Sequence, residues 1–256
     1  MKWPKTLTLV RHDTSAYNVL KAQKEVDPLY ASFVEAFEED YRSPKTKELA
    51  TQIRDKYALG VGGADTPLID GGGDFAFQVG EELSKGDLPD VIFVSPYKRT
   101  LHTLEHMTRA WPALASVKTY QDERVREQEN GLGFLYSDWR VFYVFHPEQK
   151  ELHDLEGPYW YRYPQGESVA DVRERGRSFL TTLTRDFAGK NVLVVTHHLN
   201  ILALRANLER LNEEEFIHLD TKEKPINCGV TVYTGNPDVG ENGKLELTSY
   251  NKKLYT

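Results

Sequence analysis

The sequence predicts an α/β fold: a mostly parallel central sheet with helices on both faces. Two observations predict it. Three short β-branched apolar runs, at 6–10, 91–94 and 192–195, each lie between helix-like stretches. Runs of this kind read as strands buried on both faces of a parallel sheet. The second observation concerns the residues directly after each run. Arg11-His12 comes after the first, Ser95-Pro96 and then Lys98-Arg99 after the second, and Thr196-His197-His198 after the third. Ligands of open parallel sheets bind beyond the carboxyl ends of the strands. Three strands therefore deliver cations and imidazoles to one edge.

The remaining elements are read in chain order. Residues 19–64 read as an insertion. Asp27-Pro28 is a cap and first-turn pair, with Leu29, Phe33, Phe37 and Tyr41 recurring every four residues behind it. Ser43-Pro44 repeats the start signal before Leu49, Ile53 and Tyr57, and Gly60 is the expected stop. Together these predict a helical hairpin over about 27–60. The glycines at 71–73 follow no strand, so they are read as the turn before a helix and not as a nucleotide loop. The segment 134–163 holds 10 of the chain's 29 aromatic residues. It lacks the interleaved basic residues of a base-stacking platform and is read as a lid or packing segment. Helices are expected to resume at 168–187 and 199–211, and a late strand at 230–233 to close the sheet. The whole, 1–256, is read as one domain.

Composition narrows the partners. Apolar residues make up 39% of the 256 and charged residues 28%, with a formal net charge of -7. That balance argues against a general nucleic-acid or anionic-membrane binder and leaves room for a small basic pocket. Cys228 is the one cysteine, so no internal disulfide forms, which fits a reducing compartment. The first residues contain no apolar stretch long enough for a signal peptide or spanning helix. The expectation is a soluble, cytoplasmic protein with a small-molecule partner and no nucleic acid or membrane; the sequence does not speak to its oligomeric state.

Six stretches occur in order: "LVRHDTSAYN", "DTPLIDGG", "SPYKRTLHT", "VREQENG", "YPQGESVADV" and "VLVVTHH". The ordered set resembles the histidine phosphatase superfamily, in its phosphoglycerate mutase-like group. The resemblance covers nearly the whole chain except the hairpin and parts of the aromatic segment. It implies that His12 is a nucleophile that takes a phosphoryl group, an office that suits an imidazole neutral near neutral pH. It implies further that Arg11 and Arg99 bind phosphate through their planar forks. His197 would hold the phosphoryl group in the transition state, Asn18 would add a neutral donor, and Glu127 would be the acid that protonates the leaving oxygen. Glu123 and Glu129 are neighbouring rivals of Glu127. The group's mutases carry an Arg-Arg pair soon after the acid, and "QENGLGFLYSDWR" has none.

A phosphomonoester hydrolase acting through a phosphohistidine is therefore expected, without cofactor. A phosphoglycerate mutase is the runner-up, and a non-catalytic phosphate-binding module the third reading. His102 and His106, four apart on an expected helix, have metal-ligand spacing but not the order of a zinc-protease motif, and no metal site is assigned. The chain departs from the group where glycine usually follows each histidine: here Asp13 and His198 stand. Asp13 is expected to turn away from the ligand or to pair with His198 or another cation. Two adjacent histidines at a strand end point to opposite sides, so His198 is read as a neighbour of the site.

Overall fold

The structure is a computed structural model and describes residues 2–256. In chain order the elements are β1 (Thr6–Arg11), α1 (Ala16–Glu25), α2 (Pro28–Asp40), α3 (Pro44–Lys56), α4 (Asp74–Leu83), β2 (Val91–Val94), α5 (Lys98–Ala110) and β3 (Lys118–Gln121). Then come α6 (Trp139–Phe145), α7 (Pro147–Glu156), α8 (Val169–Asp186), β4 (Asn191–Thr196), α9 (His198–Glu209), α10 (Glu213–Lys222), β5 (Val230–Asn236) and β6 (Lys244–Lys252). The chain divides into two compact units. Of the described residues, the first comprises 2–15, 67–127 and 171–256; the second comprises 16–66 and 128–170.

The first unit holds a six-stranded sheet in the order β3-β2-β4-β1-β5-β6. β3, β2, β4 and β1 run parallel, while β5 is antiparallel to β1 and β6 to β5. The three strands read from the sequence are the parallel centre. The fourth, β5, pairs with β1 but does not close the sheet; β6 forms that edge. Alternation along the strands splits the core in two. Leu7, Leu9, Val91, Phe93, Val192 and Val194 pack with Phe179, Leu183 and Ile201 on one face. Val10, Ile92, Val94, Leu193 and Val195 pack with Ala76, Val79 and Met107 on the other. Each of the larger side chains here, Val, Leu, Ile, Phe or Met, stabilises the fold by about 1.5–3 kcal/mol relative to exposure. The register Arg11↔Thr196 and Val94↔Val195 sets the carboxyl ends of β1, β4 and β2 side by side.

The second unit is helical. Asp27 accepts a hydrogen bond from Leu29 N–H (3.0 Å) and Ser43 Oγ one from Thr46 N–H (3.1 Å), each ahead of a proline in the first turn. Asp27 also receives Lys56 Nζ (2.7 Å) and the Tyr57 hydroxyl (2.5 Å), which ties the start of α2 to the end of α3. That company, Lys56 first, draws its carboxyl down to about 2. α3 ends at Lys56, earlier than the expected stop, and Gly60 follows in the left-handed region (φ 71). The aromatic segment is largely core: Phe142, Tyr143 and Tyr161 pack with Phe33, Phe37 and Ile53. It contains α6 and α7, which its sequence pattern did not indicate. No described helix is long and apolar enough to cross a membrane.

Candidate active site

His12 lies one residue beyond β1, where its N–H still donates to Thr196 O (2.9 Å) and its carbonyl accepts from Asn227 Nδ2 (3.0 Å). Its Nδ1 is 2.6 Å from Asp13 O. A carbonyl can only accept, so Nδ1 carries the proton and the lone pair falls to Nε2. The His197 ring meets that of His12 edge-on, with centroids 5.1 Å apart at 61°. His197 Nε2 is 2.7 Å from Ser95 Oγ, and its buried Nδ1 has no hydrogen-bond partner. Both imidazoles are buried, at 3% and 0% exposure. Burial, and after it the positive field of Arg99, holds both well below the usual histidine range. Both are therefore neutral at neutral pH.

Arg99, 8% exposed, sits in the first turn of α5 with its guanidinium 4.9 Å over the Tyr97 ring. Arg11 donates from Nη1 to Pro225 O (2.6 Å), while its buried Nε has no partner. Burial lowers the Arg11 pKa, and the charge of Glu127 opposes that. Glu127 Oε1 accepts the N–H of Leu199 (3.1 Å) at the start of α9. The loop before it is clamped: Arg175 donates to the carbonyls of Arg124 (2.8 Å) and Glu127 (3.0 Å), Thr196 Oγ1 to Val125 O (2.6 Å) and Asn200 Nδ2 to Arg124 O (3.1 Å). Two fixed cations, two neutral imidazoles and one carboxylate thus gather at the sheet edge, where α5 and α9 begin with their positive ends.

Asp13 is turned to other partners. Its Oδ2 accepts from Ala76 N–H (2.9 Å) at the start of α4, and Oδ1 from Thr14 N–H (2.6 Å). It also hydrogen-bonds the Cys228 thiol, whose pKa is pushed up by burial and next by this carboxylate. His198 pairs instead with Asp220 (2.7 Å). Of the expected set, the first unit gathers Arg11, His12, Arg99, Glu127 and His197; Asn18 lies in α1 of the second unit. Glu123 points to solvent, 75% exposed, within 3.7 Å of Arg126, and Glu129 belongs to the second unit. His102 and His106 lie on α5, with the His106 ring against Gly73. Among the described residues no three His, Cys, Asp or Glu side chains are grouped to hold a metal ion.

Sequence reasoning missed the supporting groups. Ser95, fully buried, is the partner of His197, and its place directly after a strand was the available signal. Thr103 accepts the Asp13 N–H (2.9 Å) and donates to Arg99 O (2.7 Å), linking α5 to the His12 peptide. No local pattern marks Thr103, Asn227 or Arg175.

The carboxyl edge of a mostly parallel sheet, with Arg11 and His12 at β1, His197 at β4 and Arg99 at the start of α5, is a site suited to an anion. Residues 54–245 match the model of the histidine phosphatase superfamily (branch 1), and the chain belongs to that family. The match includes Arg99, Glu127 and His197; it begins inside α3, so Arg11 and His12 precede it. A phosphoglycerate mutase-like protein of Arabidopsis thaliana is 29% identical over 183 residues, 72% of this chain and 54% of that protein. A 6-phosphofructo-2-kinase/fructose-2,6-bisphosphatase of Aquarana catesbeiana is 29% identical over 184 residues, 68% of this chain and 36% of that protein. The chain thus spans about half or less of the length of these relatives. Among solved structures, a mycobacterial glucosyl-3-phosphoglycerate phosphatase complexed with inorganic phosphate superposes with a TM-score of 0.63 at 20% identity, over 98% of both chains. A putative alpha-ribazole-5'-P phosphatase of Escherichia coli gives 0.64 at 17% identity, over 98% of this chain and 97% of that one.

Proposed function

We propose that the protein hydrolyses phosphomonoesters of a small metabolite through a phosphohistidine at His12. In this reading Nε2 attacks phosphorus, the P–O ester bond breaks, the ester oxygen leaves with the proton of Glu127 in its protonated form, and His12 holds the phosphoryl group. Glu127 then takes a proton from water, which attacks phosphorus and releases inorganic phosphate. Arg11, Arg99 and His197 stabilise the equatorial oxygens, where preorganised donors matter most. From the first motif alone, Asn18 is assigned the neutral donor. The observation that carries the reading is the His12 Nδ1 to Asp13 O bond in a buried, neutral imidazole: it commits the Nε2 lone pair to attack. The missing Arg-Arg pair after Glu127 favours hydrolase over mutase.

The test is a rapid quench with an ester labelled in its phosphoryl group. Wild type should trap an acid-labile, base-stable label on His12, release inorganic phosphate without added bisphosphoglycerate, and lose nearly all turnover as His12→Ala. A label on another residue overturns the assignment of the nucleophile. Interconversion of 2- and 3-phosphoglycerate that outpaces phosphate release makes the protein a mutase.

A further inference from the structure

The second unit holds a cavity of about 240 Å³, just below the roughly 300–1,000 Å³ of drug-sized ligand sites and fit for a smaller molecule. Its walls are rich in rings, Tyr17, Phe134, Trp139 and Tyr163 among them, and Lys24 and Arg140 also line it. The charges can be paired off. Lys24 is 5% exposed; its ammonium donates to Asp138 Oδ2 (2.6 Å) and Ser137 O (3.0 Å). The Tyr30 hydroxyl donates to the same carboxylate oxygen (2.6 Å), while Asp138 Oδ1 caps α6 through the N–H groups of Arg140 (2.8 Å) and Val141 (3.4 Å). Asp138 is saturated by these four donors, and Lys24 cancels its charge. Lys21 has Glu25 one turn on, at 3.8 Å.

Arg140 remains. Its guanidinium lies 4.2 Å over the Trp139 ring, its Nη1 reaches the Tyr30 oxygen at 3.3 Å, and its buried Nε has no hydrogen-bond partner. Its ion pair with Glu38 is long, at 4.0 Å, and Glu38 is itself 66% exposed, so solvent screens it. The Arg140 side chain, 24% exposed, is thus a weakly compensated cation in the wall of the ring-lined cavity.

We propose that this pocket binds a planar carboxylate, an aromatic or heteroaromatic monoanion, with its carboxylate on Arg140 and its ring against the aromatic walls. The guanidinium fork matches the two oxygens of a carboxylate. The tyrosine, phenylalanine and tryptophan rings favour stacked or edge-on contact with another ring. A single net positive charge beside Glu25 and Asp138 suits a monoanion better than a phosphate dianion. This site is independent of the phosphatase reading.

The experiment titrates the intact protein with sodium benzoate and follows tryptophan emission, with Trp139→Phe to assign the signal. Saturable binding at about millimolar concentration is expected, with Arg140→Gln weakening it about 10–100-fold. Arg140→Lys, which keeps the charge and loses the fork, should also bind more weakly than wild type. A far-ultraviolet thermal melt of each variant excludes simple unfolding, and turnover of an aryl phosphate is measured separately. Benzamide, planar but uncharged, should not compete. Absence of saturable binding, benzamide binding as tightly as benzoate, or unchanged affinity in folded Arg140→Gln overturns the proposal. So does displacement of benzoate by inorganic phosphate, which would put the probe at the sheet-edge site.

Discussion

His12 is held by its own successor. Asp13 accepts the Nδ1–H hydrogen bond through its carbonyl, donates its N–H to Thr103, and places its carboxylate on the first turn of α4. The helix needs that carboxylate, because its N-cap, Gly73, has no side chain to offer and makes no side-chain cap bond. A side chain from a distant strand end thus does what a local Ser or Asp normally does. Asp13→Ala should cost about 0.5–2 kcal/mol, the scale of a lost cap, and Asp13→Asn less, since its amide oxygen still accepts. Urea unfolding monitored by circular dichroism checks both; an Asp13→Ala protein as stable as wild type would mean that the carboxylate does not cap α4. At this scale the sequence was legible where chemistry and position coincide: an arginine or histidine directly after an apolar strand reads plainly. The work of Asp13 was not legible, because its partner is 63 residues away and nothing near either residue encodes their meeting.

Among the elements, those with local signals were readable and those made by tertiary context were not. α2 and α3 announce themselves through Asp27-Pro28 and Ser43-Pro44. β3, "KTYQ", is exposed along its length and shows no apolar pattern; it is a strand because β2 offers it a ladder. β6 is mostly exposed, with a bulge in its pairing to β5, and is hidden for the same reason. α7 buries no residue, so periodicity had nothing to register. Helix packing also makes two glycines opposite in kind. Gly80 of α4 faces α5 so closely that a Cβ would stand 2.6 Å from Met107 O, a backbone atom that cannot step aside. Gly176, inside α8, would bring a Cβ no nearer than 3.5 Å to its neighbours. Gly80→Ala should therefore destabilise by about 1–3 kcal/mol through overpacking. Gly176→Ala should stabilise by about 0.5–1 kcal/mol, because alanine loses less backbone entropy in a helix. Thermal melts of the two variants should move in opposite directions; movement in the same direction would show that backbone propensity, not the α4–α5 contact, governs both sites.

For the molecule as a whole, the chain leaves the sheet-bearing unit twice, after Ser15 and after Glu127, and returns at Pro67 and Asp171. The ends of the first excursion are tied within that unit by a bridge between Ser15 and Leu68 and by Ile69 N–H on Thr14 O (3.1 Å). Both departures come soon after residues of the site in the chain. The sequence showed the hairpin but set the insertion at 19–64, since α1 carries no recognisable start signal. The sheet-bearing unit buries two histidines that the unfolded chain exposes, and this makes global stability depend on pH. His12 and His197 titrate well below 6.5 when folded and near that value when unfolded. As pH falls below about 6.5 the unfolded chain takes up two protons that the folded protein refuses, so stability must fall with pH. Each histidine contributes a slope of up to about 1.4 kcal/mol per pH unit, hence up to about 2.7 together, until the folded groups themselves protonate. Most carboxylates titrate lower, so the interval from about pH 6.5 to 5 isolates the effect. Urea unfolding across that interval should give a falling stability in wild type and a markedly flatter dependence in the double variant His12→Asn/His197→Asn, whatever its absolute stability. Parallel slopes in the two proteins would mean that these imidazoles are charged, or hydrated, in the folded state, and the neutral nucleophile on which the proposed chemistry rests would go with them.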